Sequence, residues 1–480
     1  MKSWFSSSIL CFGLLPSMAF ADEVEVAQQC LEYTNLSCAQ KVRDQLDAEG
    51  RTDKAYLQTK AKILFHEGKY AELEEVLSAM EYPKEDEDPS LPYRKTISAS
   101  LGMVNYYRDD ISIRHSDGIE VILAEEAYET LREAREQYKI IFGGVPDHDL
   151  VMDIFPTASR FIDASSIPPD AVRTTGVIAL SKWNRLLLTS PRAKASGYGW
   201  KDTAAHEYIH LVVSWLTDDQ TPVWLHEGLA KYFEARWRGE SQNYLSVFQQ
   251  SLLAKAIRDD AFVPFEKFRY SMAYLDSGEE AALAYAQVST MVHFLQTKRG
   301  EEVFPIMMGR LRAQEDPMEL MASLAGYSDF ETFRSNWKTF IRELPLVQEQ
   351  LKALPPALDG QGGDFADDPL LSQRTDLAKF MRIGDLLLEI KRPKAALVEF
   401  MKVDEEEGPP SPTLLHRKAR CYMELNNLPK ALRFAQEGVR LYPEYVDLQM
   451  ILGEVQEKRG YSMESVKHWQ AAHDLNPFNP

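Results

Sequence analysis

Two histidines and a glutamate lie close together in the segment His206-Glu207-Tyr208-Ile209-His210. Residues four apart share one face of an α-helix, so His206 and His210 can direct ring nitrogens at a single point. Two imidazoles placed in this way suit a divalent cation such as Zn²⁺, which accepts four ligands. Glu207 lies between them and can act as general base toward a water at that point. The spacing therefore favours the chemistry of a zinc-dependent hydrolase.

A third ligand has to come from outside this segment. One common arrangement needs a glycine three places and a histidine six places after His210, but this chain has apolar residues there. Pro222 follows a short turn and suits the start of a second helix, which contains His226 and Glu227. Helical neighbours point about 100° apart, so only one of these two side chains can face the cation. We favour Glu227 as the ligand, with His226 as the alternative.

The segments HEYIH (206–210) and PVWLHEGLAKYFE (222–234) resemble the gluzincin metallopeptidases, in particular the peptidase MA-like family. The resemblance covers roughly residues 105–345 and is most specific at these two segments. It implies an α+β thermolysin-like fold, with a strand-rich half above a helical half. It also implies that the helix of the first segment lines the cleft.

The resemblance also implies roles for individual residues. His206, His210 and Glu227 would be the Zn²⁺ ligands, and Glu207 would be the general base. The family places a tyrosine in a Y-A-Q pattern on a later helix, and Tyr285 stands in that pattern here. Its hydroxyl would stabilise the oxyanion of the reaction, and a buried packing role is the alternative.

Two further positions affect how far the resemblance carries. His293 lies eight residues after Tyr285 and could be a second donor, but we favour a structural histidine. Lys231 stands where some related enzymes keep an acidic residue behind the ligands, so support of the ligands is expected to differ. The G-x-M-E-N stretch by which related aminopeptidases hold a substrate amine is missing from the sequence. We therefore expect an endopeptidase.

The first 21 residues have the pattern of a cleaved secretory signal. Lys2 gives a positive start, residues 9–15 are apolar but too short to span a bilayer, and Ala19-Phe20-Ala21 offers a cleavage site. No later stretch reaches the ~18 apolar residues that a transmembrane helix needs. We expect an exported protein, periplasmic or secreted, without a transmembrane segment; an uncleaved anchor is the alternative.

Export also bears on the cysteines. Cys30 and Cys38 would meet an oxidising compartment and could close a small loop by a disulfide, although two reduced cysteines are the alternative. Cys421 lies within a helical pattern and is expected to be a buried small residue.

The central region, residues 101–345, combines strands with helices. Residues 120–142 have the pattern of a long amphipathic helix. Strands are predicted at the following segments: 111–115, 149–155, around 176–180, and 185–189. Helices are expected from about residue 201 onward. The segment 185–191 is expected to form an edge strand over the cleft, where an extended peptide could pair.

Helical regions are expected on both sides of this domain. Residues 22–100 resemble helical hairpins of the tetratricopeptide type. Residues 346–375 are rich in Pro and Gly, which favours a linker between domains. Residues 376–480 resemble three tetratricopeptide repeats, because several positions recur 34 residues apart. Stacks of such repeats bind peptides or protein segments.

The composition excludes some partners and supports a folded protein. The chain has 480 residues, 45% of them hydrophobic, and a net charge of −19. This charge would repel a nucleic-acid backbone, so we expect no nucleic-acid partner. The sequence predicts an exported zinc endopeptidase whose repeats recruit protein substrates or partners. The alternatives are a non-catalytic tetratricopeptide adaptor for envelope assembly and a zinc hydrolase of non-peptide amides.

Overall fold

The molecule is mostly helical, with one small mixed sheet. The computed structural model describes residues 22–80, 90–167, 177–194, 196–239, 244–272, 275–349, 351–352, 364–404 and 408–478. The expected signal, residues 1–21, and the middle of the expected linker, residues 353–363, lie outside the described residues. Among the helices that are described, none is long and apolar enough to cross a bilayer.

The described chain begins with short helices. They are α1 (Glu23–Glu32), α2 (Leu36–Ala48), α3 (Lys54–His66), α4 (Tyr70–Ser78) and α5 (Leu91–Ala99). Asp22, Asn35 and Asp53 cap the first three by accepting hydrogen bonds from backbone amides of the first turn. A disulfide joins Cys30 to Cys38 and ties α1 to α2, which confirms the pairing predicted for these two cysteines.

The described strands form one sheet in the order β1-β2-β3-β5-β4. Their bounds are β1 (Met103–Arg108), β2 (Ile111–Ser116), β3 (Leu150–Phe155), β4 (Ala179–Lys182) and β5 (Arg185–Thr189). The three central strands are parallel, and both outer strands are antiparallel to their neighbours. Helices α6 (Val121–Phe142) and α7 (Ala158–Ser165) connect the strands. The predicted helix and the strands at 111–115, 149–155 and 185–189 are confirmed, whereas β1 was not predicted.

The prediction of the edge strand is wrong. The segment from Arg185 onward is β5, which lies inside the sheet between β3 and β4 with all five residues buried. The outer strand is instead β4. It begins and ends about two or three residues later in the chain than the strand predicted around 176–180. A two-residue turn, Trp183-Asn184, folds β4 back onto β5, and both turn residues have left-handed φ angles of 56° and 55°. A continuous apolar run such as that of β5 is typical of an interior strand.

Helices follow the sheet, as predicted. They are α8 (Trp200–Leu216), α9 (Val223–Phe233), α10 (Val247–Asp259), α11 (Phe265–Phe268), α12 (Gly278–Arg299), α13 (Val303–Arg312), α14 (Pro317–Ala325) and α15 (Phe330–Ile341). One hydrophobic core runs from strands β2, β3 and β5 through α6, α8 and α9 to α12 and α15. The sheet and these helices therefore form a single packed body.

The C-terminal region consists of helices that pack pairwise. They are α16 (Thr375–Glu389), α17 (Pro393–Asp404), α18 (Pro412–Glu424), α19 (Leu428–Leu441), α20 (Val446–Lys458) and α21 (Ser462–Leu475). Small residues lie where the pairs approach closely: a Cβ atom at Gly384 or Gly453 would clash with the ring of Phe400 or Trp469. Cys421 is buried and unbonded, as expected.

Candidate metal centre

Helix α8 carries both histidines of the motif deep in the domain. The apolar residues that flank the motif, Ala204, Ala205, Leu211, Val212 and Val213, are all buried. They fix the rotation of the helix, because burying them turns His206 and His210 toward a cavity of about 650 Å³ beside the sheet. Helix α9 follows after a six-residue connection and packs against α8. The side chain of Glu227 therefore reaches the same cavity.

The three expected ligands come together at one point. The Nε2 atoms of His206 and His210 lie 3.4 Å and 3.6 Å from Oε2 of Glu227. Ligand atoms about 2.1 Å from a tetrahedral zinc ion are about 3.4 Å apart. The two imidazoles and the carboxylate thus fit a zinc ion in both chemistry and spacing. They are a potential metal-binding group within the described residues.

A carboxylate that the sequence analysis did not identify supports His206. Glu234, at the end of α9, has Oε2 3.0 Å from Nδ1 of His206, while its other oxygen pairs with Lys231. A ligand histidine whose second nitrogen donates to a carboxylate is held in one tautomer and orientation. Lys231 therefore does not leave the ligands without acidic support. Glu234 supplies it seven residues after Glu227, on the same face of the helix.

His210 has a different support. Its Nδ1 lies 3.4 Å from Nδ1 of His226. Burial, and then the neighbouring His210, lower the pKa of His226 to about 3, so this ring is neutral. The structure thus places Glu227 opposite both Nε2 atoms and places His226 behind His210. The residue that was the alternative ligand is positioned to support a ligand instead.

Glu207 faces the cavity from the same helix and is buried, with 8% of its surface exposed. Its pKa is raised chiefly by burial, although the two histidines oppose this. The backbone of Ser181 in β4 also opposes this rise in pKa. A carboxylate whose pKa is raised toward the working pH is suited to take up and release a proton.

Tyr285, on α12, lines the same cavity as Glu207. Burial and the carboxylates of Glu227 and Glu207 raise the pKa of its hydroxyl well above the ordinary value, so the group keeps its proton and can donate it in a hydrogen bond. His293 lies away from the cavity lining. Its Nδ1 bonds the hydroxyl of Tyr244 at 2.8 Å, which agrees with a structural role.

The edge strand β4 and the two residues before it line the same cavity as the metal ligands, over residues 177–181. Lys182 pairs with Arg185 across the two-residue turn, and Ser181 pairs with Leu186. Pairs that exchange hydrogen bonds alternate along an antiparallel ladder with pairs that do not. The backbone N–H and C=O of Ser181 and Ala179 therefore point away from β5, toward the cavity.

Replacing Glu234 should weaken metal binding. The Glu234→Gln variant keeps the shape of the side chain and can still accept a hydrogen bond from Lys231, but it loses the charge that orients His206. We expect the affinity for Zn²⁺ to fall by about 10- to 100-fold, measured by competition with a chelating dye. Glu315→Gln, which removes an exposed glutamate paired with Arg310, is the control. An unchanged affinity in Glu234→Gln would show that Glu234 does not support His206.

Metal binding should release a proton at neutral pH. Burial disfavours the charged form of His206, but hydrogen bonds to Glu227 and Glu234 outweigh it and raise the pKa of His206 to about 10. A cation needs the neutral imidazole, so below pH 10 it has to displace this proton. The apparent affinity should therefore increase with pH, by up to about tenfold per unit between pH 6 and 9.

Calorimetry in buffers of different ionisation enthalpy measures this release directly. The Glu234→Gln variant is the matched comparison, because it removes one of the groups that raise the pKa of His206. It should release fewer protons on binding the cation. Zn²⁺ binding with no proton release at pH 7 would mean that His206 is already neutral.

Comparisons with known proteins agree with this geometry at the level of a superfamily. Residues 141–343 match the model of the Peptidase MA superfamily, and no curated protein matches the chain. A solved structure of yeast LTA4 hydrolase in complex with bestatin is similar at 11% identity and a TM-score of 0.31, over 78% of this chain and 63% of that one. The chain thus spans less than two thirds of that hydrolase, and a TM-score of this size establishes no common fold.

The matched segment contains the three candidate ligands, the residues that support them, and the two residues suited to proton transfer and hydrogen-bond donation. They are His206, His210, Glu227, His226, Glu234, Glu207 and Tyr285. The match indicates a metallopeptidase-like protein. Residues 141–343 of this chain are therefore similar to the Peptidase MA superfamily.

Proposed function

We propose that this protein is an exported zinc-dependent endopeptidase. The observation that carries the proposal is the convergence of two Nε2 atoms and a carboxylate oxygen at distances of 3.4 Å and 3.6 Å, beside a buried glutamate. His206, His210 and Glu227 would hold the Zn²⁺ ion. The ion, when bound, would act as a Lewis acid toward the substrate carbonyl and the attacking water.

The residues of the chain have separate tasks in peptide hydrolysis. Glu207 takes a proton from the attacking water and passes it to the leaving amine. The hydroxyl of Tyr285 donates a hydrogen bond to the oxygen on which negative charge develops. The buried helices α8 and α9 exclude bulk water from one side of the cavity, which strengthens both interactions.

The edge strand favours an extended peptide as substrate. The outward N–H and C=O groups of Ala179 and Ser181 can pair with a peptide backbone and so extend the sheet by one strand. Ser181 and Glu207 line the same cavity, so a peptide on β4 would pass beside the proposed base. Recognition through the backbone is compatible with many side chains, which suits an endopeptidase acting on unfolded protein.

The flanking regions support the remaining parts of the proposal. The Cys30–Cys38 disulfide favours an oxidising compartment, in agreement with the signal-like first 21 residues. The pairwise packing of α16–α21 is compatible with tetratricopeptide repeats. We propose that these helices bind protein substrates or a protein partner, while the negative net charge disfavours nucleic acid.

Two measurements on the full-length protein test the proposed activity. Elemental analysis of the purified protein should find zinc in an equimolar amount, and incubation with a reduced, unfolded protein should yield internal fragments. Mass spectrometry of the substrate fragments separates the two kinds of peptidase, because an endopeptidase cuts at internal sites and an aminopeptidase removes residues from the N-terminus. A protein that binds unfolded chains but neither contains zinc nor cleaves them would instead be the non-catalytic adaptor.

A further inference from the structure

The two walls of the cavity are joined to different parts of the chain. One wall is β4, which has only four residues and a sheet neighbour on one side, β5. The other wall is formed by α8 and α9, which carry the proposed ligands and base. We propose that the two flanking helical regions are positioning elements of the active site: α3 and α4 fix the β4–β5 hairpin, and α20 and α21 fix the start of α8. The role given to β4 rests on the proposed peptidase function.

The N-terminal helices hold the tip of the hairpin. The side chain of Asn184 is buried, and its Nδ2 lies 3.1 Å from Nδ1 of His66 at the end of α3. The ring of Trp183 packs edge-on against Phe65, with centroids 4.8 Å apart. Both turn residues of the hairpin thus pack against α3.

The same helices enclose the first residue of β5. The guanidinium of Arg185 is completely buried, lies 4.4 Å from the ring centre of Phe65, and pairs with Asp153 of β3 at 3.2 Å. The hydroxyl of Tyr70, the first residue of α4, donates to the same carboxylate at 2.8 Å. Arg114 of β2 donates to the backbone oxygen of Gly68 at 2.7 Å. These contacts join the α3–α4 pair to three strands of the sheet.

The last helical pair holds the segment that leads into α8. The amide of Val446, at the start of α20, donates to the oxygen of Ser196 at 3.1 Å, and the amide of Tyr198 donates to the oxygen of Leu475, at the end of α21, at 3.3 Å. Gly197 between them has φ +69°, and a Cβ atom there would lie 2.5 Å from a methyl group of Val446. The backbone of this segment therefore lies directly against both C-terminal helices.

Ion pairs extend this contact into the first turn of α8. The ammonium of Lys201 lies 2.8 Å from Asp474 of α21 and 2.7 Å from Glu126 of α6. His473 of α21 also contacts Glu126, at 2.6 Å. Helix α8 has no side-chain cap at Gly199, so its start is defined by these contacts with the C-terminal pair.

The two anchors should influence different steps of the reaction. Strand β4 contacts the substrate backbone, so loosening it should raise KM while kcat and metal affinity stay unchanged. Helix α8 carries two ligands and the base, so displacing it should weaken metal binding and lower kcat. A mutation far from the reacting groups can still lower the rate, because a misplacement of about 1 Å at those groups is enough to slow the reaction.

The N-terminal anchor is tested by glycine substitutions in the hairpin turn. Trp183 and Asn184 both have left-handed φ angles, so glycine preserves the turn while removing the contacts with α3. We expect Trp183→Gly to raise KM for an unfolded protein substrate about fivefold, and Asn184→Gly to do so to a smaller extent. The control is Asn426→Gly, an exposed asparagine with φ 58° in a turn of the C-terminal region.

The C-terminal anchor is tested at Lys201. We expect Lys201→Met to weaken Zn²⁺ binding about fivefold and to lower kcat with little change in KM, and Lys201→Arg to restore both. Lys467→Met is the control, because Lys467 pairs with Glu464 at the surface of the same C-terminal helix, α21. Zn²⁺ affinity is measured by dye competition without substrate, so this result does not depend on peptidase activity.

Hydrogen exchange provides a structural readout for both anchors. The hairpin variants should speed exchange in residues 177–182 and leave 200–216 unchanged, and Lys201→Met should do the reverse. If the parent protein cleaves no peptide but hydrogen exchange responds in this way, the flanking helices do position β4 and α8, and only the proposed peptidase function is refuted. Equal effects of Trp183→Gly, Asn184→Gly and Lys201→Met on both segments, or effects no larger than those of the controls, would overturn the proposal.

Discussion

The Glu207→Gln variant should bind Zn²⁺ as tightly as the parent protein and cleave peptide bonds about 10³-fold more slowly. The amide of glutamine has nearly the same shape as the carboxylate but cannot accept the proton of the attacking water. Glu207 is not one of the three residues whose donor atoms converge at the metal centre, so the ligand set stays complete. The rate of cleavage of an unfolded protein and the zinc content of the same sample are the two measurements.

Thermal unfolding separates this loss of chemistry from a loss of fold. Burial raises the pKa of Glu207, so the ionised carboxylate destabilises the folded state. This destabilisation is fully present above the folded pKa and is lost below the ordinary pKa of a glutamate, where the carboxylate is protonated in both states. The neutral amide of the variant carries no such cost, so the midpoint of unfolding at pH 7 should be equal to or higher than that of the parent. Glu266→Gln, at an exposed position of α11, is the control. Cleavage at the parental rate would refute Glu207 as the base.

The parts of the site that could be predicted are those set by local geometry. The spacing of His206 and His210 fixes a shared helical face whatever the rest of the fold does. Glu227 follows because only a short turn separates α8 from the next helix, which brings the start of α9 close to the end of α8. The roles of these residues remain predictions, although the structure brings their donor atoms together.

The features of the structure that were not predicted have two causes. Some depend on contacts between residues distant in the sequence, and others on residues whose type alone does not indicate their role. Glu234 lies two helical turns beyond Glu227, and its acidity alone does not distinguish it from a solvated surface glutamate. The order of β4 and β5 in the sheet depends on pairing with β3, about 30 residues earlier in the chain, and not on the composition of either strand. The contact of Gly197 with Val446 and Leu475 joins residues roughly 250 and 280 positions apart, which no local pattern encodes.

The Tyr285→Phe variant should lower kcat by about 10²- to 10³-fold with little change in KM or in Zn²⁺ affinity. The substitution removes only the hydroxyl of a side chain that lines the cavity, and the three converging donor atoms of His206, His210 and Glu227 stay in place. A hydrogen bond that forms mainly as charge develops on the substrate oxygen stabilises the transition state more than the bound substrate, so the loss should appear in kcat. Steady-state kinetics with a quenched fluorescent peptide measures both constants.

The pH dependence of kcat distinguishes a donor from a packing residue. Because burial and the carboxylates of Glu227 and Glu207 raise the pKa of Tyr285 well above its ordinary value, the hydroxyl stays protonated and kcat of the parent should not fall between pH 8 and about 9.5 through loss of this proton. Tyr327→Phe is the matched control, because this half-buried tyrosine stacks on Phe294 away from the cavity. An equal kcat for Tyr285→Phe and the control would mean that Tyr285 only packs against the metal centre and that the oxyanion is stabilised by other groups.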